Sequence, residues 1–154
     1  MPASHEDVDL LVIGSGAAGV SAAAAFAELR GGSALLVSED VDPAYQRPPL
    51  SKDHLRGESD DGELWMQRSD SVRYRHGQRV VGLDPHGRTA LLEGGSTVGF
   101  ATCVLATGSE PLPFPVPGGD LPGLLSLRSL ADARRLRRVA TRVAARSGSA
   151  VVVG

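Results

Sequence analysis

Three closely spaced glycines directly after an apolar run constrain the fold of this chain more than any other feature. Residues 9–13 (DLLVI) are followed by GSGAAG, which gives Gly14, Gly16 and Gly19 the spacing GxGxxG. The alanine-rich stretch 17–30 comes next. This order predicts a buried strand, a tight glycine turn and a helix that begins at the turn.

A second apolar run completes the first structural unit. Gly31 and Gly32 end the predicted helix, and residues 34–38 (ALLVS) predict another buried strand. Two buried strands joined by a helix form a right-handed βαβ unit. We therefore predict an α/β fold, a Rossmann-like doubly wound parallel sheet.

Shorter strands follow a long irregular, proline-containing segment. Turn residues separate four short runs that predict a small antiparallel β-meander: 72–75, 79–83, 89–92 and 97–100. Residues 102–107 (TCVLAT) predict one further buried strand that ends at a glycine.

The C-terminal part predicts a helix and a final strand. Residues 126–145 are amphipathic, with arginines on a solvated face and an apolar face formed by Leu136, Val139, Ala140 and Val143. Residues 150–153 (AVVV) lead to Gly154 and predict the first strand of a second βαβ unit.

The glycine turn is suited to bind a dinucleotide. In chain order, the three glycines permit a tight turn, close approach of the backbone to a pyrophosphate, and close packing of helix on strand. The positive end of the helix favours phosphate. The residues between the glycines carry no charge and leave room for it: Ser15, Ala17 and Ala18.

An acidic residue stands where a ribose would be held. Glu39 follows the second strand, 20 residues after Gly19, and is expected to accept hydrogen bonds from the adenosine ribose hydroxyls. An acid at this position also disfavours a 2′-phosphate. The alternative is that Glu39 and the adjacent Asp40 simply form a solvated strand end.

The GxGxxG spacing does not distinguish an NAD-binding from an FAD-binding protein, but residues 45–52 (YQRPPLSK) do. The chain resembles the flavin domain of ferredoxin, rubredoxin and putidaredoxin reductases and of apoptosis-inducing factor, in the FAD-dependent pyridine nucleotide-disulfide oxidoreductase superfamily. Six segments carry the resemblance, over nearly the whole chain: LVIGSGAAG, VSED, YQRPPLSK, RVVGLD, CVLATGSEP and the terminal VVVG.

This resemblance implies FAD as the cofactor and adds contacts beyond the glycine turn. The residues implied are Glu39, Asp40, Arg47, Lys52, Val80 (through its backbone, at the adenine), Ala106, Thr107 and Gly108. Lys52 is the candidate catalytic residue, because an ammonium near the flavin can stabilise charge that develops on the ring when hydride arrives. The alternative for Lys52 is an exposed lysine on a short helix.

The resemblance also implies an organisation and an activity. Residues 1–125 are expected to be an FAD-binding domain, and residues 126–154 a connecting helix and the first strand of a truncated NAD(P)-binding domain. NAD(P)H is thus expected only through that second domain, and electrons are expected to pass through FAD to a small iron-sulfur carrier of ferredoxin or Rieske type. The alternative is a truncated or non-enzymatic FAD- or nucleotide-binding protein without turnover of its own.

Composition and residue usage argue against several other classes of protein. A formal net charge of -2 gives no electrostatic case for nucleic acid or anionic membrane, no apolar run is long enough to span a bilayer, and the polar start predicts a cytoplasmic protein. Cys103 is the only cysteine, so the cysteine pair of a disulfide reductase is missing. A function as a simple NAD-dependent dehydrogenase would leave the RPPLSK motif unexplained.

The four histidines lack metal-ligand spacing, so no metal site is expected, and they are expected to be solvated or in turns.

Overall fold

The computed structural model describes residues 4–153, which form two compact units. The first unit comprises the described residues up to Tyr45 together with Trp65–Gly108. The second comprises Gln46–Leu64 and the described residues from Ser109 onward. The predicted boundary between residues 125 and 126 stays a prediction.

The first unit is built on a six-stranded mixed sheet with the order β3-β2-β1-β6-β5-β4. Its strands are β1 His5–Ile13, β2 Ala34–Val37, β3 Val72–Arg75, β4 Val80–Asp84, β5 Thr89–Leu92 and β6 Thr97–Leu105. Parallel pairing joins β3 to β2, β2 to β1 and β1 to β6. Antiparallel pairing joins β6 to β5 and β5 to β4. The α/β, Rossmann-like fold with a small antiparallel meander is therefore confirmed.

Two apolar clusters use alternate residues of the same strands, because successive side chains of a strand point to opposite faces. Leu10, Val12 and Leu36 belong to the cluster that α1 (Ala17–Arg30) covers with residues such as Val20 and Ala23. The second cluster contains Leu11 and Leu35 of the central strands and is completed from the antiparallel part by Val80, Ala90, Leu92 and Val98. Strands buried on both faces explain the uninterrupted apolar runs.

Two details of the predicted sheet are wrong. Val72–Arg75 pairs in parallel with β2, with Val72 opposite Ala34, and is not part of the meander, which consists of β4, β5 and β6. The predicted strands 97–100 and 102–107 are one strand, because no turn residue stands between Phe100 and Thr102 and the register with β1 continues across them. Local sequence marks short strands without fixing their partners.

The second unit contains two short 3₁₀ turns and two helices. Pro48–Ser51 and Asp61–Leu64 are the 3₁₀ turns, α2 is Asp53–Arg56 and α3 is Leu130–Ala144. A capping box explains why α3 begins later than predicted: the Ser129 hydroxyl accepts from the Asp132 amide, and the Asp132 carboxylate accepts from the Ser129 amide.

The C-terminal part differs from prediction in two further ways. Leu130 and Ala133 are the buried residues of α3, whereas Leu136, Val139 and Val143 are half-buried and Ala140 is exposed. Residues 150–153 form no strand, because no strand of the described chain pairs with them. Gly154, the predicted end of that strand, lies outside the described residues.

Candidate functional site

The turn between β1 and α1 depends on glycine at its first position. Gly14 has a φ of 110°, and a Cβ there would lie 2.3 Å from the Ala106 carbonyl oxygen. Its amide donates to the Val37 carbonyl over 2.8 Å, and the Ala106 amide donates to the Ile13 carbonyl over 2.8 Å. The carboxyl ends of β2, β1 and β6 are thereby brought together at one edge of the sheet, where α/β sheets bind ligands.

The other two glycines of the turn, Gly16 and Gly19, differ in the space around them. A Cβ at Gly19 would lie 2.0 Å from the Gly14 carbonyl oxygen, so only glycine allows the helix to pack this close. A Cβ at Gly16 would meet nothing within 4 Å, so packing does not require glycine there. Gly16 is instead bordered by open space at the start of α1, where a ligand can approach the backbone.

The N-terminus of α1 is available to an anion. Gly16 is its N-cap, no side chain caps the helix, and the first turn, which contains Ala17 and Ala18, holds no acidic residue. The amides at a helix start carry a positive partial charge and lack intrahelical acceptors. Together with the space beside Gly16, this end of the helix fits a pyrophosphate.

Ser15 is turned into the protein. Its hydroxyl donates to Ser38 Oγ over 2.8 Å, and both side chains are buried. Ser38 Oγ also accepts from the Asp40 amide over 3.2 Å. Sequence reasoning missed Ser38, although its place directly after the second strand was a usable signal. Ser15 can therefore meet a ligand through its backbone, while its side chain stabilises the turn.

The two acidic residues after β2 have different environments. The Glu39 carboxylate is exposed and lies 3.4 Å from Arg79 Nε, an exposed ion pair that salt screens. The Asp40 carboxylate accepts from the Tyr45 hydroxyl over 2.7 Å. Glu39 is thus free to exchange its partner for ribose hydroxyls, whereas Asp40 has a structural contact. Neither Arg79 nor Tyr45 was identified from the sequence.

The remaining predicted residues of the first unit flank the same edge. Ala106, Thr107 and Gly108 directly follow β6, and the last two are exposed. Val80 begins β4 after a turn in which the Gly77 amide donates to the Asp40 carbonyl. The structure therefore brings the glycine turn, the residues after β2 and the residues after β6 together, and it ties the turn before Val80 to them.

Arg47 and Lys52 belong to the second unit. Arg47 is half-buried, and its Nη1 donates to the Arg128 carbonyl over 3.3 Å. Lys52 stands between the first 3₁₀ turn and α2, with its amide donating to the Pro49 carbonyl over 2.9 Å. Its side chain is exposed, and no salt bridge of the described residues includes its ammonium.

Two other sequence expectations concern cysteine and histidine. Cys103 is half-buried, and burial raises the pKa of its thiol, which makes it a poor nucleophile at neutral pH. His54 was expected to be solvated or in a turn, but it lies in α2 and its side chain is fully buried, because α2 packs against α3. Within residues 4–153, no group of three histidine, cysteine or acidic side chains is arranged to hold a metal ion. The described helices are also too short or too polar to cross a bilayer.

The fold and the glycine turn define a dinucleotide-binding α/β protein. The chain belongs to the pyridine nucleotide-disulphide oxidoreductase family, whose model matches residues 8–154. FAD is the cofactor of this family. The open space beside Gly16 and the uncapped start of α1 fit the pyrophosphate of such a cofactor.

Individual relatives are rubredoxin-NAD(+) and ferredoxin-NAD(+) reductases. The chain is 31% identical over 152 residues to the rubredoxin-NAD(+) reductase of Pseudomonas putida, covering 94% of this chain and 38% of that protein. It is 35% identical over 135 residues to the biphenyl dioxygenase system ferredoxin-NAD(+) reductase component of Paraburkholderia xenovorans, covering 84% of this chain and 33% of that protein.

A solved structure agrees with these relatives. The ferredoxin reductase of Rhodopseudomonas palustris superposes with a TM-score of 0.79 at 30% identity, over 87% of this chain and 35% of that one. The chain thus spans about a third of the length of the relatives that it matches.

Proposed function

We propose that this chain is the FAD-binding part of an NAD(P)H-dependent flavoprotein oxidoreductase that passes electrons to a ferredoxin-like or similar acceptor. The observation that carries the proposal is the glycine turn: Gly16 borders open space at the uncapped start of α1, next to the ends of the parallel strands. The family match supports the class of enzyme, and the relatives, which are reductases of rubredoxin and ferredoxin, support the kind of acceptor.

The first unit would hold the adenosine and pyrophosphate side of the cofactor. The backbone from Gly14 to Gly19 would receive the pyrophosphate, and Glu39 would accept from the ribose hydroxyls after leaving Arg79. Val80 would meet the adenine through its backbone. Asp40 would contribute by shaping the loop, since its carboxylate already accepts from Tyr45. Ala106, Thr107 and Gly108 would lie along the cofactor.

Arg47 and Lys52 are the proposed cationic contacts of the second unit. Bound FAD would supply the redox chemistry, taking two electrons as hydride from NAD(P)H and passing them on singly. Lys52 has an exposed ammonium without a competing carboxylate among the described residues, so it is available to stabilise negative charge on the flavin. Pro48 and Pro49 restrict the backbone between the two cations.

The NAD(P)H site, the iron-sulfur partner and the cytoplasmic location are parts of the same proposal. Residues 126–154 would begin the nicotinamide-binding part, as the resemblance implies. The relatives named for rubredoxin and ferredoxin support a small iron-sulfur carrier as the electron acceptor.

The test is FAD binding by the purified chain. FAD is added, free cofactor is removed by gel filtration, and the visible spectrum of the protein fraction is recorded for wild type, Glu39→Ala and Lys52→Ala. We expect a co-eluting flavin spectrum that weakens in both variants. Glu93→Ala is the matched control, because Glu93 is an exposed acid in a turn of the antiparallel part and should leave binding unchanged.

Two outcomes would count against the proposal. A folded wild-type chain that stays colourless contradicts FAD binding by these residues, and an unaltered spectrum in Glu39→Ala contradicts the ribose assignment. Oxidation of NADH, followed by absorbance at 340 nm with the FAD-loaded chain, shows whether the chain has turnover of its own. Absence of NADH oxidation does not contradict the proposal, because NAD(P)H is expected to bind only through the second domain.

A further inference from the structure

The second unit buries a histidine inside the segment that carries Arg47 and Lys52. His54 lies in α2, two residues after Lys52, and its side chain is 0% exposed. Both ring nitrogens are buried, and neither makes a hydrogen bond within the described chain. Burying an imidazole without a partner is unfavourable, so a purely packing role would be served better by leucine or phenylalanine.

An acidic residue faces the buried ring. Asp61 Oδ1 lies 3.4 Å from His54 Nε2. The other oxygen of this carboxylate accepts from Arg134 of α3, over 2.8 Å from Nε and 2.6 Å from Nη2. Asp61 therefore stands between the imidazole of α2 and the guanidinium of α3, with one oxygen directed to each.

The same segment is attached to its unit at other points. Arg47 donates to the Arg128 carbonyl just before α3 begins, and α2 packs against both α3 and the preceding 3₁₀ turn. Leu50 of this turn and Leu130 of α3 are buried, as is Leu64 of the 3₁₀ turn Asp61–Leu64. Arg47 and Asp61 thus attach the two ends of the segment, and His54 is a buried polar group near its centre, two residues after Lys52.

We propose that His54 is a positioning residue for Lys52. By meeting Asp61, which Arg134 holds on α3, the imidazole fixes the backbone of α2 and therefore the place from which the Lys52 ammonium projects. The consequence for cofactor binding rests on the proposed function. The consequence for the order of the segment does not, because it concerns only contacts inside the second unit.

Two substitutions separate the polar contact from simple filling of space. His54→Phe keeps an aromatic ring and removes both nitrogens, whereas His54→Gln keeps an N–H donor at about the reach of Nε2. Each is made in the full chain. Hydrogen exchange followed by mass spectrometry reports on residues 46–64, where the amides of Lys52, Arg56 and Gly57 are bonded to carbonyls of the segment. FAD affinity is measured in parallel by fluorescence titration.

We expect His54→Phe to speed exchange in this segment and to weaken FAD binding, each by about fivefold, the effect of losing one close imidazole–carboxylate contact. His54→Gln should restore both values to within about twofold of wild type. Asp61→Asn should loosen the segment at least as much as His54→Phe does, because it also weakens the pair with Arg134, and the double variant should be no looser than Asp61→Asn alone.

Wild-type exchange in His54→Phe would overturn the proposal, as would His54→Gln behaving like His54→Phe. If His54→Phe does not fold, Arg134→Gln carries the test, because this side chain reaches the surface: fast exchange in residues 46–64 supports the proposal and wild-type exchange overturns it. Failure of the wild-type chain to bind FAD would contradict the proposed function, while the exchange data would still decide the role of His54.

Discussion

The Ser15 hydroxyl donates a buried hydrogen bond of 2.8 Å to Ser38 Oγ, and this bond joins the glycine turn after β1 to the residue directly after β2. Ser38 Oγ accepts at the same time from the Asp40 amide. One hydroxyl thus links the proposed pyrophosphate turn to the loop that carries the proposed ribose acid. The two halves of the proposed adenosine site are thus joined by hydrogen bonds within the protein itself.

Ser38→Ala should therefore destabilise the chain more than an ordinary surface change. It leaves the Ser15 hydroxyl buried without its acceptor and removes the acceptor of the Asp40 amide, which together cost about 1–3 kcal/mol. The double variant Ser15→Ala/Ser38→Ala should lose less stability than the two single variants added together, because Ser15→Ala removes the hydroxyl that Ser38→Ala leaves unpaired. Urea unfolding followed by circular dichroism measures this.

The control for these variants is Ser21→Ala in α1, the helix that begins at the turn. Ser21 is exposed, so its replacement should change the free energy of unfolding by no more than about 0.5 kcal/mol. Additive losses in the double variant would show that the two hydroxyls do not act as a pair.

Alanine at Gly16 should destabilise the fold much less than alanine at Gly19. At Gly19 a Cβ would lie 2.0 Å from backbone, so Gly19→Ala should lower the free energy of unfolding by at least about 2 kcal/mol. At Gly16 the space is open and φ is -71°, so Gly16→Ala should keep the fold, with a loss of about 1 kcal/mol or less for the weaker N-cap.

The same Gly16→Ala variant tests the ligand. If the pyrophosphate approaches the backbone at Gly16, the added methyl should weaken FAD binding by about tenfold or more while the circular dichroism spectrum stays that of wild type. Unchanged FAD affinity in a folded Gly16→Ala protein would argue against a pyrophosphate at this turn.

The part of the fold encoded by local pattern could be predicted. Buried runs on both sides of a glycine turn specify β1, α1 and β2, and the position of Glu39 follows from that unit alone. The partner of β3 could not be predicted, because a four-residue strand has no local signal for parallel or antiparallel pairing. The predicted break between residues 100 and 102 is wrong because Ala101, the one residue between them, gives no turn signal and the strand continues through it.

The polar contacts of the site were harder to predict for a related reason. Ser38, Arg79 and His54 meet residues that are 7 to 40 positions away in the sequence. Single-sequence patterns record periodicity and turns, not such tertiary pairs. The chemistry of the glycine turn was therefore predictable, whereas the side chains that support it required the structure.

The capping box of α3 should make part of the stability depend on acid pH. Burial acts to raise the pKa of Asp132, but hydrogen bonds from the Ser129 amide and hydroxyl and from the Arg128 amide outweigh it, so the pKa lies below its ordinary value. A lowered pKa stabilises the fold above the unfolded value of about 3.9, and this contribution is lost as the pH falls through the folded value.

Two variants check the contribution of the capping box. Asp132→Asn should reduce the loss of stability between pH 5 and pH 3, and Ser129→Ala should cost about 1 kcal/mol at pH 7. Ser126→Ala, exposed and ahead of the helix, is the control. Equal acid sensitivity of wild type and Asp132→Asn would contradict the assignment.

His76 should give the chain a second pH dependence, nearer neutrality. Both ring nitrogens are buried without a hydrogen bond in the described residues, and the ring stacks on Tyr74 with centroids 6.1 Å apart. Burial lowers the pKa of His76, the charge of Arg68 lowers it further, and Asp40 and Asp42 act in the opposite direction. His76 therefore binds a proton at a lower pH in the folded protein than in the unfolded chain, where its pKa is about 6.5.

Between the lowered pKa and about 6.5 the unfolded state binds more protons, so the free energy of unfolding should decrease as the pH falls below about 6.5. His76→Gln should reduce this decrease, whatever its effect on stability at pH 8. Urea unfolding at pH 8, 6.5 and 5.5 measures it, with His86→Gln, the same change at an exposed turn, as the matched control. If His76→Gln and wild type lose the same free energy between pH 8 and pH 5.5, the imidazole of His76 is not the group responsible.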